Sequence, residues 1–450
     1  MSRGEQTDGL VAAVRAGDVA AVRELLEQGV DPDSVDESGL PVLCGAVAAY
    51  DGPVAGALVE GGADPDRVLP DGTTPLERAI DGGSPAVFSA VLGEEPRLRL
   101  PEGARNRLLG LARRWYETGV EEELRQRTGA TGPATVVRVR DDEYDEIDQF
   151  SVGELVARAG HAGILTSLEW SFRVLTPVDE VIDRAMGHPD EADANWSAVL
   201  WILLQRRSNE TWSAVVAHRH HLSPAHRRFV VDYLRMRGLL GTCDRSYEKK
   251  ESALLAAWAA EETDGGILAK LLEVFTGYDH PDQEAIGLRY AGHPDPRVRR
   301  EVPYALAWDH PYSSAVRDAL RTLTGDPDPE VRLAACTAAI RDDNLLPDMT
   351  RALLRLLEEK DARVRSASAA LLAGSGDRTP AVADALAALL DDSHQEVRLE
   401  GAYGLAKRDD PRTADANERV GPLGELSEHD HRADALWRWK WEKEQAAADR

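Results

Sequence analysis

The sequence predicts an all-α protein made of two successive arrays of helical repeats, and three observations carry that prediction. Apolar residues recur at a step of 33 near the start of the chain. A Val-Arg pair recurs at the same step of 33 in the last third. Around these blocks, apolar residues keep the three-to-four spacing of amphipathic helices, with Gly and Pro at the breaks.

In the first block Leu10, Leu43, Leu76 and Leu109 mark one period. Ala13, Ala46, Ala79 and Ala112 mark a second, and Leu25, Leu58, Val91 and Leu124 a third. "LLEQGVDPD" from Leu25 returns as "LVEGGADPD" from Leu58, and "GTTPLERA" at Gly72 matches "GLPVLCGA" at Gly39. Gly29 and Gly62 suit left-handed helix C-caps, and Pro32 and Pro65 keep the helix from continuing. These residues resemble the ankyrin repeat over about residues 8–128: three repeats and a fourth that keeps only helix-core positions, as a terminal cap would. The resemblance implies hairpin fingers at "DSVDES" from Asp33 and "DRVLPD" from Asp66, and makes Asp36, Glu37, Val68 and Leu69 candidate partner-binding residues. Tyr50 stands where Gly17 and Gly83 hold the helix turn, which predicts a local distortion in the middle repeat.

Residues 1–130 therefore form a first domain. The composition then changes abruptly, and the acidic run "DDEYDEID" from Asp141 predicts a solvated linker over 131–150. It lacks the glycine and closing glutamate of a calcium loop. Segments such as "WSAVLWILLQRR" and "ILAKLLEVF" predict irregular helical hairpins over 151–280.

Four regular repeats follow over 281–410. Val298-Arg299, Val331-Arg332, Val364-Arg365 and Val397-Arg398 carry the period, with Asp295, Asp328 and Asp361 three residues before the valine. Asp328, Pro329 and Glu330 read as N-cap, first-turn proline and an acid facing the helix dipole. Val331, Ala334, Ala335, Ala338 and Ala339 then share one face. This block resembles the HEAT repeat, in its bacterial HEAT-like form. The resemblance implies that Arg299, Arg332, Arg365 and Arg398 tie neighbouring repeats through aspartates or helix-end carbonyls, a structural ladder. In the first copy, "HPDPRVRREV", Pro303 predicts a kink. Residues 411–450 read as a polar segment and a final helix whose three tryptophans, at steps of two, cannot share one face.

The formal net charge is −26, from 79 acidic and 53 basic side chains, so the global field repels nucleic acids and anionic membranes. One island departs from it. From Arg206 to Lys250 ten basic residues face four acidic ones, among them Arg219, Arg227, Arg228, Arg235 and Arg237, the composition of a face for an acidic protein or a nucleic-acid strand. The null is neutralisation by the chain's own acids. His218, His220, His221 and His226 lie close in sequence but without an HExxH or a nearby ligand spacing, so no metal is predicted. Three scattered cysteines, Cys44, Cys243 and Cys336, predict packed thiols in a reducing, cytoplasmic compartment. No stretch reaches the roughly 20 apolar residues of a membrane span.

No phosphate loop or nucleophile motif emerges, and no cofactor is called for. Repeat arrays expose long concave surfaces, which favours a non-catalytic adaptor or scaffold binding protein partners. The alternative implied by the HEAT resemblance is a chromophore lyase or a DNA glycosylase, the latter using the basic island.

Overall fold

The computed structural model describes residues 3–240, 245–308, 311–423 and 430–448, and it is mostly helical. The chain divides into two compact units, Met1–Tyr233 and Leu234–Arg450.

The first unit opens with helix pairs at the expected period: Arg3–Ala16 with Val19–Glu27, Val42–Ala48 with Gly52–Glu60, and Pro75–Gly82 with Pro85–Leu92. The second helices begin at side-chain caps. Asp18 accepts from Ala21 N and Asp51 from Val54 N, both at 3.0 Å, and each such cap contributes about 1 kcal/mol. Leu10, Leu43 and Leu76 are fully buried, and Ala13, Ala46, Ala79 and Ala112 pack the contacts between helices. The fourth pair, Glu102–Thr118 and Val120–Thr128, shifts register: Leu108 is buried where the period points to Leu109. Between helices the loops turn back at short hairpins, with Asp36 N donating to Leu40 O at 2.9 Å and Leu69 N to Thr73 O at 2.8 Å.

Tyr50 adopts the left-handed conformation of the glycines it replaces, at φ 58° against 70° at Gly17 and 71° at Gly83. A side chain there costs roughly 1–2 kcal/mol. Its own contacts offset this: the hydroxyl reaches Gly82 O at 3.2 Å and Val156 O at 3.3 Å, and the Arg158 guanidinium lies 4.0 Å from the ring centroid.

Residues 131–150 are not a linker, and the chain is not all-α. Strands β1 (Thr135–Arg140), β2 (Glu146–Val152) and β3 (Leu155–Arg158) form an antiparallel sheet in the order β1-β2-β3. "TVVRVR" supplies the β-branched residues, and the acidic run is the turn that joins β1 to β2. Asp142 accepts from Tyr144 N and Asp145 N at 2.8 and 2.7 Å, while Asp141 N donates to Asp145 O. Asp141 is buried, not solvated. Its carboxylate takes bonds from Ser84 Oγ, Ala86 N and Arg158, and so anchors the turn to the helix Pro85–Leu92. Burial pushes Asp145 up to about 6.

Helices His161–Ser171, Val178–Ala185, Ala194–Gln205 and Asn209–Ala217 complete this unit up to the long helix Pro224–Leu239, within which the division falls. A buried pair ties two of them, Arg184 Nη1 to Glu169 Oε2 at 2.7 Å.

The second unit repeats a helical hairpin. Its inner helices Pro296–Leu306, Pro329–Ala339, Ala362–Gly374 and Gln395–Ala406 bury Val298, Val331, Val364 and Val397 at one repeated position. Pro303 deprives the Arg299 carbonyl of its helical donor, yet the helix runs on to Leu306 with Pro303 itself packed inside. Leu436 anchors the last helix, His431–Ala448. Trp439 donates to Asp409 at 2.7 Å, leaving Trp437 and Trp441 exposed, as three tryptophans at steps of two require.

Candidate partner-binding surfaces

The repeated arginine builds one geometry four times. Arg299 Nη1 donates to the carbonyls of His293 and Pro294 at 2.8 and 3.0 Å, while Nε and Nη2 grip Asp326 at 2.7 and 2.8 Å. Arg332 holds the Asp326 and Pro327 carbonyls and pairs with Glu359. Arg365 holds the Glu359 and Lys360 carbonyls and grips Asp392 at 2.8 and 2.9 Å. Arg398 closes the series on the Asp392, Ser393 and Val420 carbonyls.

Each arginine thus closes its own loop, and the first three reach the acid that opens the next. That acid lies 27 residues on in the three ion-paired rungs. The bonds from Arg365 draw Asp392 down to about 2. At Asp326 burial opposes ionisation, but the Arg299 bonds outweigh it and the carboxyl sits low. The aspartates three residues before each valine have another task. Asp295 accepts from Arg297 N, Asp328 from Glu330 N and Asp361 from Arg363 N, each at 2.8–2.9 Å, so they cap their own helices. These seven side chains are occupied by backbone and, for most, by a charged side chain outside the set: Asp326, Glu359 and Asp392 on the first three arginines and Arg297 on Asp295.

The first-unit loops are mixed. The Asp36 carboxylate takes bonds from the Ser38 hydroxyl, Ser38 N and Leu40 N, which hold it low and make it a turn former. Glu37 is exposed and meets Arg15 at 3.4 Å. Val68 is 72% exposed, but Leu69 is 4% exposed and so lies in the packing, not on a partner-facing surface.

The basic residues of 206–250 also separate. Arg219 and Arg227 turn onto their own carbonyls, at Val216 and at His221 and Leu222. Arg228 is half-buried. Arg237 is buried against Glu251 at 2.8 Å, out of reach of any partner, because its helix turns it inward beside Tyr278. Arg235 is exposed.

Among the histidines, His218 Nε2 lies 2.8 Å from Asp179 and His226 Nε2 lies 3.3 Å from Asp183. The rings stack, His221 on His226 at 3.8 Å and His218 on His226 at 5.6 Å. Stacked rings direct their in-plane lone pairs along parallel planes, not to one point. Among the described residues no group of three or more His, Cys, Asp or Glu side chains is placed to hold a metal ion. Cys44 and Cys336 are free and buried, and Cys243 lies outside the described residues. No helix among the described residues is long and apolar enough to cross a membrane.

One surface went unmarked in the sequence. In the second unit a groove of about 740 Å³ is lined by Leu234, Leu239, Val274 and Trp308, with Arg235, Lys249, Glu248, Glu273 and Asp279 as its charged lining. Trp308 is 49% exposed and Leu239 69%. Tyr304, four residues before Trp308, is 42% exposed. The only signal for this in the sequence is the pair of aromatics after Pro303, which the repeat period does not explain.

Residues 284–373 match the family model of HEAT repeats, so this part of the second unit carries HEAT repeats. No curated protein matches the chain. Similar solved structures include YibA of Escherichia coli, 16% identical with a TM-score of 0.43, covering 58% of this chain and 92% of that one. An engineered protein is 13% identical with a TM-score of 0.35, covering 93% of this chain and 100% of that one. A chain from the Pds5–Scc1 complex is 12% identical with a TM-score of 0.31, covering 97% of this chain and 73% of that one.

Proposed function

We propose that the protein is a non-catalytic adaptor or scaffold that binds protein partners. The groove around Trp308 and Leu239 carries this reading: large apolar side chains stand open to solvent in a unit whose repeated polar side chains are engaged with each other. Burying Trp308 and Leu239 against a partner would remove about 1.5–3 kcal/mol worth of exposed apolar surface for each side chain. We further read residues 1–130 as an ankyrin-type stack. Three 33-residue helix pairs, left-handed Gly29 and Gly62, and the hairpin turns at Asp36–Leu40 and Leu69–Thr73 support it. Free, buried Cys44 and Cys336 fit a cytoplasmic setting.

The test is affinity capture from native lysate with the full chain and its Trp308→Ala variant, read by mass spectrometry. A stoichiometric protein retained by the parent and lost by the variant is expected. Recovery of no such protein, or equal recovery by both, contradicts the reading.

A further inference from the structure

The groove of the second unit has a chemistry that selects among protein partners. Trp308 presents an open aromatic face, and a ring's negative quadrupole attracts cations, by about 0.5–2 kcal/mol depending on desolvation. Glu273 and Asp279 line the same groove, and neither carboxylate makes an ion pair or side-chain hydrogen bond among the described residues. Tyr304, four residues before Trp308, is also exposed, and the charges acting on its hydroxyl come from Glu301, Arg300 and Glu330, two acids to one base. Glu301 is itself 7% exposed and pairs with Arg300 at 3.1 Å.

The opposite sign is present too. Arg235, Lys249 and Glu248 complete the charged lining, so the groove holds three carboxylates against two cations. Two facts decide the balance. Glu273 and Asp279 share the lining with Trp308 and have no ion-pair partner among the described residues, and the whole chain carries −26, which draws a cationic partner in and repels an acidic one.

We infer that the groove bounded by Trp308, Glu273 and Asp279 receives a basic, amphipathic segment of a partner protein, a Lys or Arg side chain lying on the Trp308 ring within reach of the two carboxylates and apolar residues packing on Leu239. The inference rests on the scaffold reading and narrows it to one class of partner.

The test uses the full chain with two fluorescein-labelled probes, an amphipathic Lys/Leu peptide and its Glu/Leu counterpart, followed by anisotropy. The Lys/Leu peptide binds, and more weakly as salt rises. Trp308→Ala weakens it about tenfold, a loss of 1.4 kcal/mol. Glu273→Gln with Asp279→Asn flattens the salt dependence, while Glu24→Gln with Glu27→Gln, exposed acids of the first unit that do not line the groove, changes nothing. Thermal melts confirm that each variant is folded. Equal binding of the two peptides overturns the inference, as does a first-unit variant that weakens binding as much as the groove variants, which would mark a diffuse charge effect. If lysate capture yields a partner that depends on Trp308 but is insensitive to salt and to the Glu273 and Asp279 changes, the scaffold reading stands and this inference falls.

Discussion

Single residues show where the sequence stops speaking. His161 opens an unremarkable apolar helix, "HAGILTSL", yet it is 2% exposed, stacked on Trp115 at 4.5 Å, with Nε2 2.8 Å from the Ile80 carbonyl. A carbonyl accepts only, so Nε2 carries a proton, and Nδ1 is buried with no hydrogen-bond acceptor for a second one, which favours the neutral ring. Burial pushes its protonation down to about 4. Unfolded, the ring protonates near pH 6.5, so the unfolded state takes up the proton first as pH falls. Stability is therefore unaffected above about pH 6.5, declines between there and pH 4, and is flat below, a loss of roughly 3 kcal/mol from this one group. Urea unfolding of the parent and of His161→Phe, compared from pH 7 to pH 4, checks this: the parent loses ground relative to the variant. A constant difference across that range would sink the assignment. Nothing local predicts the effect, because the partner is 81 residues away.

At the scale of elements, the period made the ladder legible and left its ion-pair partners unnamed. The valines, the arginines and the capping aspartates all announce themselves by spacing. The ion-pair partners Asp326, Glu359 and Asp392 do not, since they sit where the loop folds back and one of the three is a glutamate. The sheet was hidden for a similar reason: β3 is four residues long, and the acidic turn looked like a solvated tether until Ser84 and Arg158 met Asp141. The ladder makes a prediction of its own. Arg365→Lys keeps the charge but loses the planar fork on Asp392, and one ammonium cannot also hold both carbonyls. Equilibrium unfolding at pH 7 should show a loss of about 2 kcal/mol. Because Asp392 titrates at about 2 in the fold, the stability its ion pair contributes is present above about pH 4 and disappears as pH falls through 2. The Lys variant should therefore approach the parent in acid. A gap as large at pH 2 as at pH 7 would mean the loss came from the carbonyl bonds and packing and not from the pair.

For the whole molecule, the repeat architecture was readable because each repeat restates the same contacts, so errors at one position are corrected by the others. The groove was not readable, since one of its walls is made where the restatement fails, at Trp308 after Pro303. Charge is the property that belongs to the chain as a whole. With 79 acids against 53 bases, compaction brings like charges together, and that repulsion is long-range. The ladder pairs are short-range and mostly shielded from solvent, with Arg299, Arg365 and their partners no more than 13% exposed at the side chain. Salt acts on these two effects unequally. Raising NaCl from about 0.01 M to about 0.1 M shortens the screening length from roughly 30 Å to roughly 10 Å, which removes much of the repulsion and leaves contacts under 3 Å nearly intact. The Tm should rise over that range, by calorimetry at constant pH near 7. A fall would show that exposed ion pairs such as Arg15 with Glu37, and not the net charge, dominate the electrostatics of folding.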